Sequence, residues 1–142
     1  MRKIGSLGEK IIAQWLTDKG YSVIESNWHC RWGEIDLIVI NKSLKEIIFV
    51  EVKTRSKNNW DDNGLYSVNH KKQEKICLTA SSFLEKNQIF TDWNCRFDIA
   101  LLTYKKLTNS EVISSISDNC LKPKFNYEGY QFEIFDYLEN AF

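Results

Sequence analysis

The chain has 142 residues, of which 43% are hydrophobic and 27% are charged, with 19 basic residues balanced by 19 acidic ones. This composition excludes a disordered polypeptide, and zero net charge gives no overall electrostatic case for binding a nucleic acid or a membrane. The length predicts one domain over residues 1–142 that can bury a full hydrophobic core. Because no apolar run approaches the ~20 residues that cross a bilayer, we expect a soluble cytoplasmic protein with no membrane partner.

The N-terminal half of the sequence predicts one helix followed by three strands. Residues 6–20, SLGEKIIAQWLTDKG, carry an apolar stripe at helical spacing. Ser6 is a suitable N-cap, Glu9 completes a capping box, and Gly20 ends the helix. Three segments with strand-like patterns follow: 21–28, 33–40 and 46–55. The stretch NKSLK between the last two is short enough for a hairpin turn.

The C-terminal half predicts a second helix and a fourth strand. Residues 69–87 carry a second apolar stripe, and residues 95–104 form an apolar, strand-like run. Two polar segments are predicted loops: 56–67 and 117–131. Residues 132–142 fit a strand or a short helix equally well. The order of helix, strands, helix and strand predicts an α/β fold, with a central mixed β-sheet flanked by helices.

The third strand carries two charges where buried apolar residues are expected. In FVEVKTR, Glu51 and Lys53 interrupt a run that is typical of a central strand covered on both faces. Side chains alternate with period two, so the carboxylate and the ammonium lie on one face. Asp36 interrupts the second strand in the same way, with Ile35 and Leu37 predicted on the opposite face. If these two strands pair as a hairpin, Asp36 and Glu51 come side by side.

A divalent cation is the simplest partner for two carboxylates that share one site. Mg²⁺ takes carboxylates and water in an octahedral shell, and Asp36 and Glu51 would hold it together with the backbone carbonyl of Val52. Lys53 would then position an attacking water or stabilise charge on a phosphate, which predicts metal-assisted phosphodiester hydrolysis. Two alternatives stay open: an ordinary Glu51–Lys53 ion pair at a strand end, and a buried structural network.

Four motifs in order resemble the YraN family of small bacterial endonuclease-like proteins. They are GE in the first helix, GEIDLI, FVEVKTR and RFD, and they span Gly8 to about Tyr104. The family is similar in pattern to the PD-(D/E)XK nucleases, which include restriction endonucleases and archaeal Holliday-junction resolvases. The resemblance implies a restriction-endonuclease-like core over about residues 6–104, within a single nuclease-like domain whose region 105–142 is variable.

The resemblance also assigns catalytic residues. It implies that Asp36, Glu51 and Lys53 carry catalysis with Mg²⁺ as cofactor, or Mn²⁺ as a substitute. Ile35 stands where the motif's name has proline, a departure that is frequent in the superfamily. In resolvase-like nucleases an acid on the first helix joins the metal site, which would make Glu9 catalytic. The capping box is the competing explanation for that glutamate.

Several basic and polar side chains outside these motif acids are candidates for binding nucleic acid. Arg55 continues the face of the third strand, and Lys72 and Gln73 begin the second helix, where the family carries a lysine. A plain solvated surface explains them as well. Arg96, two residues before Asp98 on one strand face, is better explained by a structural ion pair.

The expected substrate is DNA, with branched or flap-like structures favoured only by analogy to resolvases. No motif for reading bases is present, so recognition would depend on shape and backbone. The same analogy suggests a homodimer. A catalytically silent nucleic-acid-binding or scaffolding module on the same fold is the alternative function.

Overall fold

A computed structural model describes residues 2–57, 68–108 and 123–142 of the chain. Within these ranges the chain forms two α-helices, a turn of 3₁₀-helix at Gln88–Phe90 and a six-stranded sheet. The helices are α1 (Arg2–Asp18) and α2 (His70–Lys86). The strands are β1 (Ser22–Cys30), β2 (Gly33–Asn41), β3 (Glu46–Ser56), β4 (Asn94–Lys106), β5 (Lys124–Tyr127) and β6 (Tyr130–Leu138). None of the helices described is long and apolar enough to cross a bilayer.

The sheet is mixed, with the strand order β1-β2-β3-β4-β6-β5. β3 and β4 are parallel and are joined by the crossover that contains α2, whereas every other neighbouring pair is antiparallel. The predicted hairpin is confirmed: Leu37 of β2 pairs with Val50 of β3, and Asn41 pairs with Glu46. The mixed α/β fold predicted from the sequence is therefore confirmed, with β3 hydrogen-bonded on both sides.

The two helices cover opposite faces of the sheet, called the α1 face and the α2 face below. α1 buries Ile12 against a layer that includes Val50 of β3. α2 buries Phe83 against Phe49 of the same strand, with ring centroids 6.2 Å apart. Burying a side chain of this size contributes about 2 kcal/mol. Because both faces are covered, β3 is the buried central strand that its apolar run predicts.

α1 begins four residues earlier than the sequence predicts. It starts at Arg2, so Ser6 lies exposed inside the helix and cannot act as its N-cap. The helix extends backwards because Ile4, three residues before Leu7, adds a turn to the apolar stripe and packs against the α1-face core. The predicted capping box is therefore wrong. The predicted end is confirmed, since the helix stops two residues before Gly20, which has a φ of +99°.

The C-terminal region contains more strand than the sequence predicts. Within the predicted loop 117–131, β5 and the start of β6 form a hairpin, so that prediction is wrong for these residues. Its turn is Glu128–Gly129, with φ values of 49° and 84°, as two-residue hairpin turns require. The ambiguous last segment is largely strand, and it buries Phe132 and Ile134 on the α1 face. Parts of both predicted loops lie outside the described ranges: residues 58–67 and 117–122.

A buried ionic network ties the end of the chain to the middle of the sheet. The carboxylate of Asp98 is fully buried, and Arg96 donates to both of its oxygens at 2.9 Å. The Tyr137 hydroxyl and the Asn140 N–H also donate to Asp98, at 2.6 Å and 2.9 Å. Arg96 continues to Glu46 at the start of β3, 3.2 Å away. The Arg96–Asp98 ion pair predicted from the sequence is confirmed, and the RFD motif has a structural role.

Replacing Asp98 with Asn should destabilise the fold by about 3 kcal/mol, because it leaves the half-buried Arg96 without its countercharge. Glu139→Gln is the matched control. Glu139 reaches the same arginine only at 4.0 Å and its side chain is 65% exposed, so its loss should cost less than about 0.5 kcal/mol. Urea unfolding of the two variants measures both values. Equal losses of stability in the two variants would contradict a structural role for the Asp98 network.

Candidate functional site

The candidate site lies where β2 and β3 separate. Their ladder of paired residues ends at Leu37 and Val50. One residue further, the Oδ2 atom of Asp36 accepts a hydrogen bond of 2.7 Å from the backbone N–H of Val52. A side chain thus replaces the next backbone partner of β3, and a gap opens between the two strands. We call this place the β2–β3 fork, and it comprises Asp36, Glu51, Val52 and Lys53.

The regular alternation of β2 breaks at the fork. Ile35 packs in the α2-face core, whereas Leu37 packs in the α1-face core. The expectation that these two side chains share one face is therefore wrong. The reason is that β2 keeps only β1 as a partner beyond Leu37, so its backbone no longer follows the pleat of β3. Asp36 between them points into the gap, where Glu9 from α1 as well as Glu51 and Lys53 from β3 act on its carboxyl group.

Glu51 lies on the α2 face and is only 8% exposed. Its Oε1 atom is 3.4 Å from the Nζ atom of Lys53 and 3.4 Å from the Nζ atom of Lys72. Lys72 reaches the site from the first turn of α2, which is fixed by Asn69: the N–H of Lys72 donates to the Asn69 side chain at 2.9 Å. A buried carboxylate with two ammonium partners is the most densely charged point of the fork.

Glu9 of α1 joins the site from the other face. It is half-buried, and the side chains of Asp36 and Asn27 lie close enough to act on its carboxyl group. Burial raises the pKa of Glu9, and the charges of Glu34 and Glu51 add to that rise. No pattern in the sequence pointed to Asn27, a strand residue that adopts a left-handed φ of 52°. Because α1 begins at Arg2, Glu9 is not part of a capping box, and its charge acts on Asp36 instead.

α1 approaches β3 closely at Gly8, the residue before Glu9. A Cβ atom on Gly8 would overlap the hydroxyl of Thr54, whereas one on Gly5 would meet nothing within 4 Å. The helix can lie this near the sheet only because Gly8 has no side chain. In the GE motif, the glycine therefore allows α1 to lie close to β3, and the glutamate that follows it is placed next to the fork.

The pKa values of Asp36 and Lys53 both depart from the ordinary values of these side chains. Burial and the nearby charges of Glu51 and Glu9 raise the pKa of Asp36 to about 8, despite the N–H bond from Val52. Burial, and then the neighbouring Lys72, lower the pKa of Lys53. Near neutral pH the Asp36 carboxyl thus keeps its proton in the folded protein. Strongly perturbed groups in one concave place are typical of functional sites.

The three residues predicted to bind nucleic acid, Lys72, Arg55 and Gln73, have different partners in the structure. Lys72 contacts Glu51 within the fork. Arg55 is exposed and donates to the carbonyl of Thr54 at 3.3 Å, and it forms no ion pair within the described ranges. Gln73 donates its amide to the carbonyl of Val68 at 3.0 Å, which fixes the start of α2. The side chain of Gln73 therefore has a local structural partner that the sequence did not indicate.

The fork offers oxygen ligands for a cation. The carboxylates of Asp36 and Glu51 are hard donors of the kind that Mg²⁺ takes. No group of three or more His, Cys, Asp or Glu side chains is arranged to hold a metal in residues 2–57, 68–108 and 123–142. A cation at the fork would therefore need backbone carbonyls or water to complete its shell.

Comparison with known proteins identifies the family. Residues 8–102 match the model of the Uncharacterised protein family UPF0102. A UPF0102 protein of Synechocystis sp. is 40% identical over 149 aligned residues, which cover 100% of this chain and 99% of that protein. Relatives in Acaryochloris marina (35% identical, 99% and 90% covered) and Trichormus variabilis (39%, 98% and 93%) carry the same family name. The chain belongs to the UPF0102 family, which is the YraN family that its motifs resemble.

Replacing Asp36 with Asn should remove a pH-dependent cost of folding. The pKa of Asp36 is about 8 in the folded protein, against an ordinary value of 3.8. Between these values the folded state binds a proton that the unfolded chain releases, so Asp36 makes the wild type less stable as pH rises. In EDTA at pH 8 the variant should be more stable than wild type by on the order of 2 kcal/mol, and the gain should vanish near pH 4.

Chemical denaturation of both proteins at several pH values measures this difference. Asp92→Asn, which neutralises an exposed carboxylate far along the chain from the fork, is the control and should follow the wild-type curve. A gain for Asp36→Asn that is the same at pH 4 and pH 8 would exclude the raised pKa as its cause.

Proposed function

We propose that this UPF0102 protein is a metal-dependent endonuclease that hydrolyses phosphodiester bonds of DNA. The observation that carries the proposal is the β2–β3 fork. Asp36 and Glu51 act on each other there, and Lys53 lies 3.4 Å from Glu51. Two acids and a lysine on adjacent strands are what the resemblance to PD-(D/E)XK nucleases implies. The mixed sheet with a helix on each face supports a restriction-endonuclease-like core.

The fork suits a small, hard cation such as Mg²⁺ or Mn²⁺. Mg²⁺ is commonly held by only one or two protein carboxylates plus water, and Asp36 and Glu51 meet that need. The N–H and C=O of one residue in an extended strand point to the same side, so the carbonyl of Val52 faces the fork with its N–H. A dication would also offset the repulsion that raises the pKa of Asp36.

The chain's own residues have separable tasks in this proposal. When bound, the dication supplies Lewis acidity, which lowers the pKa of water and offsets negative charge on the phosphate. Lys53, whose side chain is 13% exposed, presents a fixed ammonium to the charge that develops on the phosphate or to the proton of the attacking water. The Val52 N–H holds Asp36 at the gap, and Glu9 adds a third negative charge beside it.

The substrate would be recognised through its backbone. Lys72 and the exposed Arg55 offer positive charge near the fork, and a groove of about 350 Å³ lies beside it, lined in part by Lys53, Arg55 and Tyr104. Branched or flap-like DNA and a homodimeric assembly are proposed by analogy to resolvases, and a cytoplasmic location fits a DNA substrate. Gln73, held by the carbonyl of Val68, is the weakest of the predicted ligands.

Cleavage of labelled DNA tests the proposal. Single-stranded, duplex, flap and four-way-junction substrates are incubated with Mg²⁺ or Mn²⁺ and with each protein variant. Asp36→Asn, Glu51→Gln and Lys53→Met should each lower the cleavage rate by on the order of 100-fold, because the first two remove ligands of the dication and the third removes the ammonium that faces the phosphate.

Matched controls separate the site from the general charge of the protein. Glu74→Gln and Lys42→Met change exposed residues of the same types outside the fork, and both should keep the wild-type rate. If the wild type cleaves no substrate with any metal but still shifts DNA in a gel, the protein is a catalytically silent binding module and not a nuclease. Cleavage that persists in all three fork variants would trace the activity to a contaminant or another site.

A further inference from the structure

One carboxylate oxygen of the fork serves two lysines. The Oε1 atom of Glu51 lies 3.4 Å from the ammonium of Lys53 and 3.4 Å from that of Lys72. The Glu51 side chain is 10% exposed, so it depends on these partners to balance its charge. A divalent cation held by Glu51 would thus meet two positive charges that already occupy its ligand.

The two lysines differ in how freely they can leave. Lys53 is on the same strand as Glu51, two residues along, and its side chain is 13% exposed. Lys72 belongs to another element, the first turn of α2, and its side chain is 37% exposed. A rotamer change can carry the ammonium of Lys72 into water, whereas the Lys53 side chain, only 13% exposed, has less room to move.

We propose that Lys72 is an exchangeable counter-cation of Glu51, which a divalent ion displaces and which is thereby released to bind the DNA backbone. The inference rests on the proposed function, because it takes the β2–β3 fork as a metal site. Its physical basis is that an ammonium and a dication compete for one oxygen and repel each other at such distances. Metal binding and phosphate binding are then coupled: the ion that enters the fork frees a positive charge beside it.

The contact between Lys72 and Glu51 predicts that removing Lys72 changes metal affinity and DNA affinity in opposite directions. Loss of Lys72 should strengthen metal binding, since the competitor is gone, even though it weakens DNA binding. Lys71 provides a matched control, because it is the neighbouring lysine, is exposed, and forms no ion pair with Glu51 in the part of the chain described.

The test is a calorimetric titration of Mn²⁺ into the wild type, Lys72→Met and Lys71→Met at pH 9, with circular dichroism to verify that each protein is folded. We expect the Mn²⁺ dissociation constant to fall about tenfold in Lys72→Met and less than about twofold in Lys71→Met. Detectable Mn²⁺ binding by Lys72→Met, with none by the other two proteins, would also support the exchange. In that case the Lys72 ammonium would prevent Mn²⁺ from reaching Glu51 in the wild type.

The remaining outcomes overturn the inference in different ways. If wild type binds Mn²⁺ but Lys72→Met binds it no more tightly, the exchange fails while the metal-dependent nuclease stands. Equal tightening in both variants would reduce the effect to general surface charge. An absence of Mn²⁺ binding in all three folded proteins would remove both the exchange and the proposed function.

Discussion

The hydrogen bond from the Val52 N–H to the Asp36 carboxylate, at 2.7 Å, is the contact on which the candidate site depends. It stands at the point where β2 stops pairing with β3, so a side chain takes the position of a backbone carbonyl. Without it the strand would have an unpaired buried N–H, which costs about as much as a lost hydrogen bond. The same bond holds an acid within reach of Glu51 on the neighbouring strand.

The fork is a balance of like and unlike charges. Three acids, Glu9, Asp36 and Glu51, meet two lysines, Lys53 and Lys72, and burial strengthens every interaction among them. The acids reach it from three elements, α1, β2 and β3, so each depends on tertiary packing. Such an arrangement costs stability in the absence of a cation and would recover it when one binds.

Much of the fork could be predicted from the sequence, because period-two alternation and a short turn fix the pairing of neighbouring strands. Those two rules alone are enough to group Asp36, Glu51 and Lys53. They could not predict that Ile35 and Leu37 lie on opposite faces, since that break depends on where β2 leaves β3. The contact of Lys72 with Glu51 depends on the docking of α2, which local pattern does not encode. Likewise the true start of α1 at Arg2 follows from core contacts of Ile4, not from the suitable cap at Ser6.

Both the nuclease and the lysine exchange require a divalent ion at the β2–β3 fork, and paramagnetic broadening by Mn²⁺ in an NMR spectrum locates such an ion. Substoichiometric Mn²⁺ should broaden the amide signals of Val52 and Leu37 first, and should leave those of Tyr137 and Asn140, around Asp98, sharp. In Asp36→Asn the selective broadening should disappear. Broadening that begins elsewhere in the wild type, or that is uniform along the chain, would contradict a metal site at the fork.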